Sequence, residues 1–150
     1  MIRESIKQAL VAAMKAGDQP RRDAIRLIQA ALKNRDIELR GAASPPDDDV
    51  LVTETLQKMV KQRRESIEMY VKGNRQELAD AEAAEVAVIE AFLPRQMDEA
   101  ELAAAVDAIV AETGAESVKD MGRVMALVKE RHAGGIDMSR ASAAVKAKLS

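Results

Sequence analysis

Phe92-Leu93-Pro94-Arg95-Gln96-Met97 is the stretch on which the reading of the whole chain turns. Proline disfavours the α region at the residue before it and, inside a helix, would remove a backbone hydrogen bond, so a helix that reaches Leu93 ends there. Asp98 follows at once as a cap for a new helix, with Glu101 three residues on as its capping-box-like partner. The hexapeptide reads as the hinge between a larger N-terminal helical bundle, residues 1–93, and a smaller C-terminal domain of three helices, residues 94–150.

Upstream of the hinge, four amphipathic patterns follow one another. Ile2, Ile6, Leu10, Ala13 and Met14 recur at helical spacing until Gly17 closes the first helix. Asp18 caps the second, and Pro20 is tolerated in its first turn. Ala24, Leu27, Ile28, Ala31 and Leu32 form the second apolar stripe, with Arg21, Arg22, Arg26, Lys33 and Arg35 making the other side basic. The short link between these helices predicts an antiparallel pair. Gly41 to Asp49 reads as the one true loop of this half. Its aspartates suit a helix N-terminus better than a metal, because consecutive positions diverge around a helix. A long helix is expected from Val50 to about Lys72, with Val52, Leu56, Met59, Val60, Ile67, Tyr70 and Val71 on one face. Gly73 then suits the C′ position and Asn74 the next cap. Leu78, Ala81, Glu85, Val86, Ile89, Phe92 and Leu93 mark the fourth stripe. Its acids Glu77, Asp80, Glu82 and Glu85 are expected to face Lys58, Lys61, Arg63 and Arg64 across the hairpin.

Downstream, Leu102, Val106, Ile109 and Val110 form a helix that Gly114 closes, and Ser117 with Asp120 suggests another capped start. Val118, Met121, Val124, Met125, Leu127 and Val128 follow, with Gly122 offering close approach to a neighbouring backbone. Gly134-Gly135 breaks the chain before Asp137 or Ser139 caps the last helix, on which Ala141, Ala144, Val145 and Leu149 are apolar.

The composition agrees with an all-α chain. Apolar residues make up 47% and aromatic residues only 1%, which disfavours any sizeable sheet. No apolar run approaches the roughly 18 residues that span a bilayer, and no signal-peptide block opens the chain. The expectation is a cytoplasmic protein without a membrane partner. The absence of cysteine excludes disulfides, thiolate catalysis and cysteine-ligated metals. There is no phosphate-binding loop, zinc-protease helix or nucleophile elbow. His132, the single histidine, precedes Ala133-Gly134-Gly135 near a helix end, where a solvated imidazole beside the helix C-terminus is the simplest role. The net charge is −2, but its distribution is uneven. Eight acids and one base lie between Glu77 and Glu101, and seven bases and three acids between Val118 and Ser150. The basic tail suits a polyanion contact, and a solvated helical surface with uneven charge is the commoner origin of such asymmetry.

Several stretches together resemble the YqeY-like proteins, which are related to the tail of the B subunit of tRNA-dependent amidotransferase. They are Lys61-Gln62-Arg63-Arg64-Glu65-Ser66-Ile67-Glu68, Gly73-Asn74-Arg75-Gln76-Glu77-Leu78, Glu82 through Glu85, the hinge hexapeptide, Thr113-Gly114-Ala115, Asp120-Met121-Gly122-Arg123-Val124-Met125 and Gly135-Ile136-Asp137. Phe92 stands where the family typically has tyrosine, and Met97 is a similarly mild departure. The resemblance implies a helical bundle followed by a smaller helical domain, and a family label of carbon–nitrogen ligase with glutamine as amido-N-donor. The matched part is the tRNA-contacting tail and not the catalytic core. The expected role is that of a tRNA-binding accessory without a catalytic residue, metal or cofactor of its own. The candidate contact residues are Lys119, Arg123, Lys129, Arg131, Arg140, Lys146 and Lys148, with Pro94, Gly122 and Gly135 as structural turn positions. Two other readings stand beside it. One is amide transfer by Glu82, Glu85 and His132. The other is a scaffold whose helical hairpin docks an amidotransferase, synthetase or ribosomal partner.

Overall fold

A Schellman turn ends the first helix, α1 (Ile2–Ala16): Gly17 sits at φ 68°, and the Asp18 N–H reaches back to the Ala13 carbonyl at 2.9 Å. The Asp18 carboxylate then accepts from the Arg21 N–H and opens α2 (Gln19–Glu38). The computed structural model describes every residue except Ala133. The remaining helices are α3 (Asp48–Lys72), α4 (Gln76–Glu90), α5 (Glu99–Thr113), α6 (Met121–His132) and α7 (Met138–Leu149), with a 3-10 turn at Val118–Asp120. No extended strand occurs among the described residues, and the fold is all-α. The chain divides into two compact units, Met1–Leu93 and Pro94–Ser150.

In the first unit the core gathers Ile6 and Ala13 from α1, Ile25, Ile28 and Leu32 from α2, Leu51, Val52, Leu56, Met59 and Val60 from α3, and Val86 and Ile89 from α4. The predicted faces hold in part: Met14 and Val71, placed on the apolar stripes of α1 and α3, are exposed. Ile25 is fully buried where the pattern favours Leu27, which is exposed. Ala79 is buried, whereas Ala81 faces solvent. Alanine runs such as those of α4 carry little hydrophobic contrast, so neighbouring rows score alike and tertiary packing decides between them.

The α3–α4 connection differs from its sequence reading. Gly73 has φ −84°, and it is Asn74 that adopts the left-handed conformation at φ 58°. The Arg75 N–H bonds to the Tyr70 carbonyl at 2.8 Å and the Asn74 N–H to the Val71 carbonyl at 3.1 Å, so Asn74 occupies C′ and Arg75 takes the N-cap position of α4. Asparagine tolerates this region better than most residues with a Cβ, which makes the exchange inexpensive.

The second unit closes around Leu102, Val106 and Ile109 of α5, Val124 and Val128 of α6, Ile136, and Ala141, Val145 and Leu149 of α7. The hinge hexapeptide is divided between the two cores. Phe92 and Leu93 pack on the first, and Met97 packs on the second. The Met97 N–H donates to the Gly135 carbonyl at 2.8 Å, and the Gln96 amide donates to the carbonyls of Pro94 and Gly134 at 2.8 and 2.7 Å. This strap fixes the start of the second unit to the α6–α7 turn. Within that turn, the positive φ of 87° belongs to Gly134. Gly135 contributes its carbonyl, and a Cβ there would make only ordinary contacts.

Candidate nucleic-acid interface

Four of the seven cations predicted to form a polyanion surface are paired inside the second unit. Arg131 grips Glu112 with two bonds of 2.6 Å, joining α6 to α5. Arg140 of α7 reaches Glu99 at 2.7 Å, and Lys148 reaches Asp107 at 3.1 Å, both across to α5. Arg123 approaches Asp120 at 3.4 Å, one helical turn away. Lys119, Lys129 and Lys146 are exposed, with no acid at ion-pair distance among the described residues.

The helix geometry gathers part of this set on one side. Val124 and Val128 bury one face of α6. Opposite them, Gly122, Arg123, Ala126, Lys129 and Glu130 are all exposed, and Lys119 extends the row from the preceding 3-10 turn. Gly122 therefore lies inside a helix rather than at a turn. A Cβ there would meet nothing within 4 Å, so no neighbouring backbone of this chain uses the space. The result is a low patch, floored by Gly122 and Ala126, with Lys119, Arg123 and Lys129 around it.

Three acids of this unit are stabilised as carboxylates by their partners. Bonds from Arg131 hold Glu112 below the ordinary range, and bonds from Arg95 at 2.7 and 2.8 Å do the same for Glu101. Glu101 thus serves Arg95, and the Asp98 cap is completed only by the carboxylate accepting from the Glu101 N–H at 2.8 Å. Asp120 is lowered chiefly by the Glu116 N–H, which it accepts at 3.0 Å. Ser117 makes no side-chain cap, so Asp120 orders this turn in its place.

In the first unit, Arg63 meets two acids of α4, at 2.9 Å from Glu85 and 4.0 Å from Glu82. Arg64 pairs with Glu90. Glu77 turns instead to Arg75, and Asp80 to Gln76. Glu82 and Glu85 therefore serve as ion-pair partners of a cation that is only 15% exposed. Arg3 was not singled out by sequence, yet it ties three helices together. Its guanidinium bonds to Asp36 of α2 at 3.1 Å and to Asp48 of α3 at 2.9 Å, and both bonds raise its pKa. Asp49 accepts the Ile2 N–H at 3.0 Å. Two aspartates of the predicted loop thus act as helix-packing groups, and no three histidine or carboxylate side chains gather at metal-binding distance among the described residues.

Fold and site together define an all-α protein of two helical units whose charged groups are largely engaged in internal ion pairs. The chain matches the Yqey-like protein family over residues 3–149 and belongs to it. It is similar to the protein named altered inheritance of mitochondria protein 41, mitochondrial, from Eremothecium gossypii, with 37% identity over 71% of this chain and 58% of that protein. The proteins of the same name from Lachancea thermotolerans and Kluyveromyces lactis are each 31% identical, over 72% and 59% of this chain and 57% and 46% of theirs. The chain thus spans about half the length of these relatives. Their names place those proteins in mitochondria. No described helix here is long and apolar enough to cross a membrane.

Proposed function

We propose that this chain is a non-catalytic accessory of tRNA-dependent amide transfer, and that it holds folded tRNA by its phosphate backbone. The observation that carries the reading is the solvated α6 face, where the unpaired Lys119 and Lys129, with Arg123 held by Asp120 beside them, surround the low floor made by Gly122 and Ala126. A helix face without a bulky side chain lets a sugar–phosphate backbone approach the cations closely. With aromatic residues at 1% of the chain, recognition rests on charge and shape rather than base stacking. Membership of a family related to the amidotransferase tail supports tRNA as the polyanion. Replacing Lys119, Lys129 and Lys146 together by glutamine should abolish tRNA binding, whereas Arg140→Gln should leave most of it. Equal affinity of the triple variant and the parent protein would sink the proposal.

A second reading is favoured by the far end of the α3–α4 hairpin. Met69 is 73% exposed and Val71 52%. They lie two residues apart and so on different sides of α3, where each offers a single apolar anchor for a protein contact. In this reading the hairpin docks an amidotransferase or another translation protein. Met69→Ser with Val71→Ser would then remove nuclease-resistant co-purification of that partner.

A further inference from the structure

The outer side of the α1–α2 pair carries a groove that the tRNA reading does not use. Its α1 edge is formed by Arg3, Lys7, Val11 and Met14, at successive spacings of four, four and three residues. Arg26, Gln29 and Lys33 run along α2 in the opposite direction. Near one end the groove deepens into an open cavity of about 170 Å³, lined by Lys7, Gln29 and Lys33 among others, with Ile6 and Leu32 as its floor. Both floor residues are buried core members, so the floor is firm. Lys7, Arg26 and Lys33 have no acid at ion-pair distance among the described residues, whereas Asp36 beside them is already engaged by Arg3. Val11 and Met14 are about half exposed.

This combination discriminates among polyanions. A nucleic-acid backbone would place phosphates against Val11 and Met14. A lipid surface would need an apolar ridge, and here the concave part is bordered by Lys7 and Lys33. An acidic amphipathic helix satisfies both components at once. Its apolar row covers Val11 and Met14, and its carboxylates meet the cations. From Arg3 to Met14 the edge runs about 16 Å, three turns of such a helix.

We propose that the α1–α2 groove is a docking site for an acidic amphipathic helix of a protein partner, with one carboxylate of that helix seated between Lys7 and Lys33. The proposal is independent of the tRNA reading, because the α6 face lies in the other unit.

The test uses the full chain and two fluorescein-labelled, helix-stapled peptides of about four turns. One carries glutamates on one edge and leucines on the other, and its twin has glutamines in place of the glutamates. Saturable binding of the acidic peptide alone is expected, weakened about tenfold or more by Lys7→Glu with Lys33→Glu. It should also be weakened by Met14→Asp, and Lys119→Glu with Lys129→Glu should leave it unchanged. All these positions are exposed, and far-UV circular dichroism of each variant checks that it folds. Absence of saturable binding at low salt would overturn the proposal, as would equal binding of the glutamine twin or equal loss from the Lys119/Lys129 variant. Binding to phosphatidylglycerol vesicles that depends on Lys7 and Lys33, with none to the peptide, would reassign the groove to a membrane.

Discussion

Raising the salt fourfold, from about 50 to about 200 mM, should weaken tRNA binding by about fortyfold rather than by thousands. The figure follows from the ion pairs. Each phosphate neutralised on a duplex releases counterions and contributes about −0.9 to the slope of log affinity against log salt. If all seven basic residues of the tail met phosphates, the slope would be about −6, and the same salt change would cost about 6,000-fold. Arg123, Arg131, Arg140 and Lys148 are already paired with Asp120, Glu112, Glu99 and Asp107, and contacting phosphate would mean breaking those pairs. Lys119, Lys129 and Lys146 remain, which gives a slope of about −2.7. Fluorescence anisotropy of labelled, folded tRNA across a potassium chloride series measures it. Asp120→Asn keeps an oxygen for the Glu116 N–H but removes the charge facing Arg123, so the slope should steepen by about 0.9. A parent slope near −6 would show that the crossed ion pairs open on binding. A slope near zero, or one that Asp120→Asn leaves unchanged, would refute the reasoning from unpaired lysines.

Other consequences are equally accessible. Gly122→Ala should stabilise the protein by about 0.5–1 kcal/mol, since a helical glycine is replaced where a Cβ meets nothing, and weaken tRNA binding if the backbone of α6 is approached closely. Chemical denaturation and anisotropy on the same sample read both effects, and a gain in stability with unaltered affinity would remove Gly122 from the interface. Asn74→Ala should cost about 1 kcal/mol, because alanine pays more for the left-handed conformation, while Asn74→Gly should be neutral or stabilising. The reverse order in urea denaturation would contradict the Schellman geometry. Ile136→Ala should cost about 2–5 kcal/mol and unfold much of the second unit, whose small core depends on that side chain from outside any helix. Loss of less than about 1 kcal/mol would show that the site collapses readily. Glu101, Glu112 and Asp120 have folded-state pKa values below their unfolded values of about 4. Their stabilisation is therefore present at neutral pH and lost as pH falls through about 4 towards the folded values. Melting temperatures followed by circular dichroism should decline in that window, and a profile flat down to about pH 3 would refute the assignment.

The helices were legible because their punctuation is local. Gly17 and Gly114 take left-handed caps, and Asp18, Asp98 and Asp137 accept the N–H bonds expected of N-caps. The glycine-asparagine pair misled, since both residues tolerate the left-handed region and only the hydrogen-bond register shows that Asn74 holds it. The α6 face was partly legible. Sequence placed Arg123 and Lys129 on a basic segment, but it gave no sign that Arg131 and Arg140 are claimed by Glu112 and Glu99, acids far away in the chain. Arg3 was missed for the same reason. One arginine in a first helical turn carries no signal that residues 33 and 45 positions later will converge on it. Gly122 showed its freedom only once its surroundings were in place.

The two separate cores also have an optical consequence. Tyr70 is the sole tyrosine, tryptophan is absent, and Phe92 packs on the first core, so the second unit has no intrinsic chromophore of its own. Tyrosine emission follows the melting of Met1–Leu93 alone, whereas the far-ultraviolet signal counts helices from both halves. Where the two curves separate during denaturation, the far-ultraviolet change outside the tyrosine transition reports the unfolding of Pro94–Ser150, read without cutting the chain or attaching a dye.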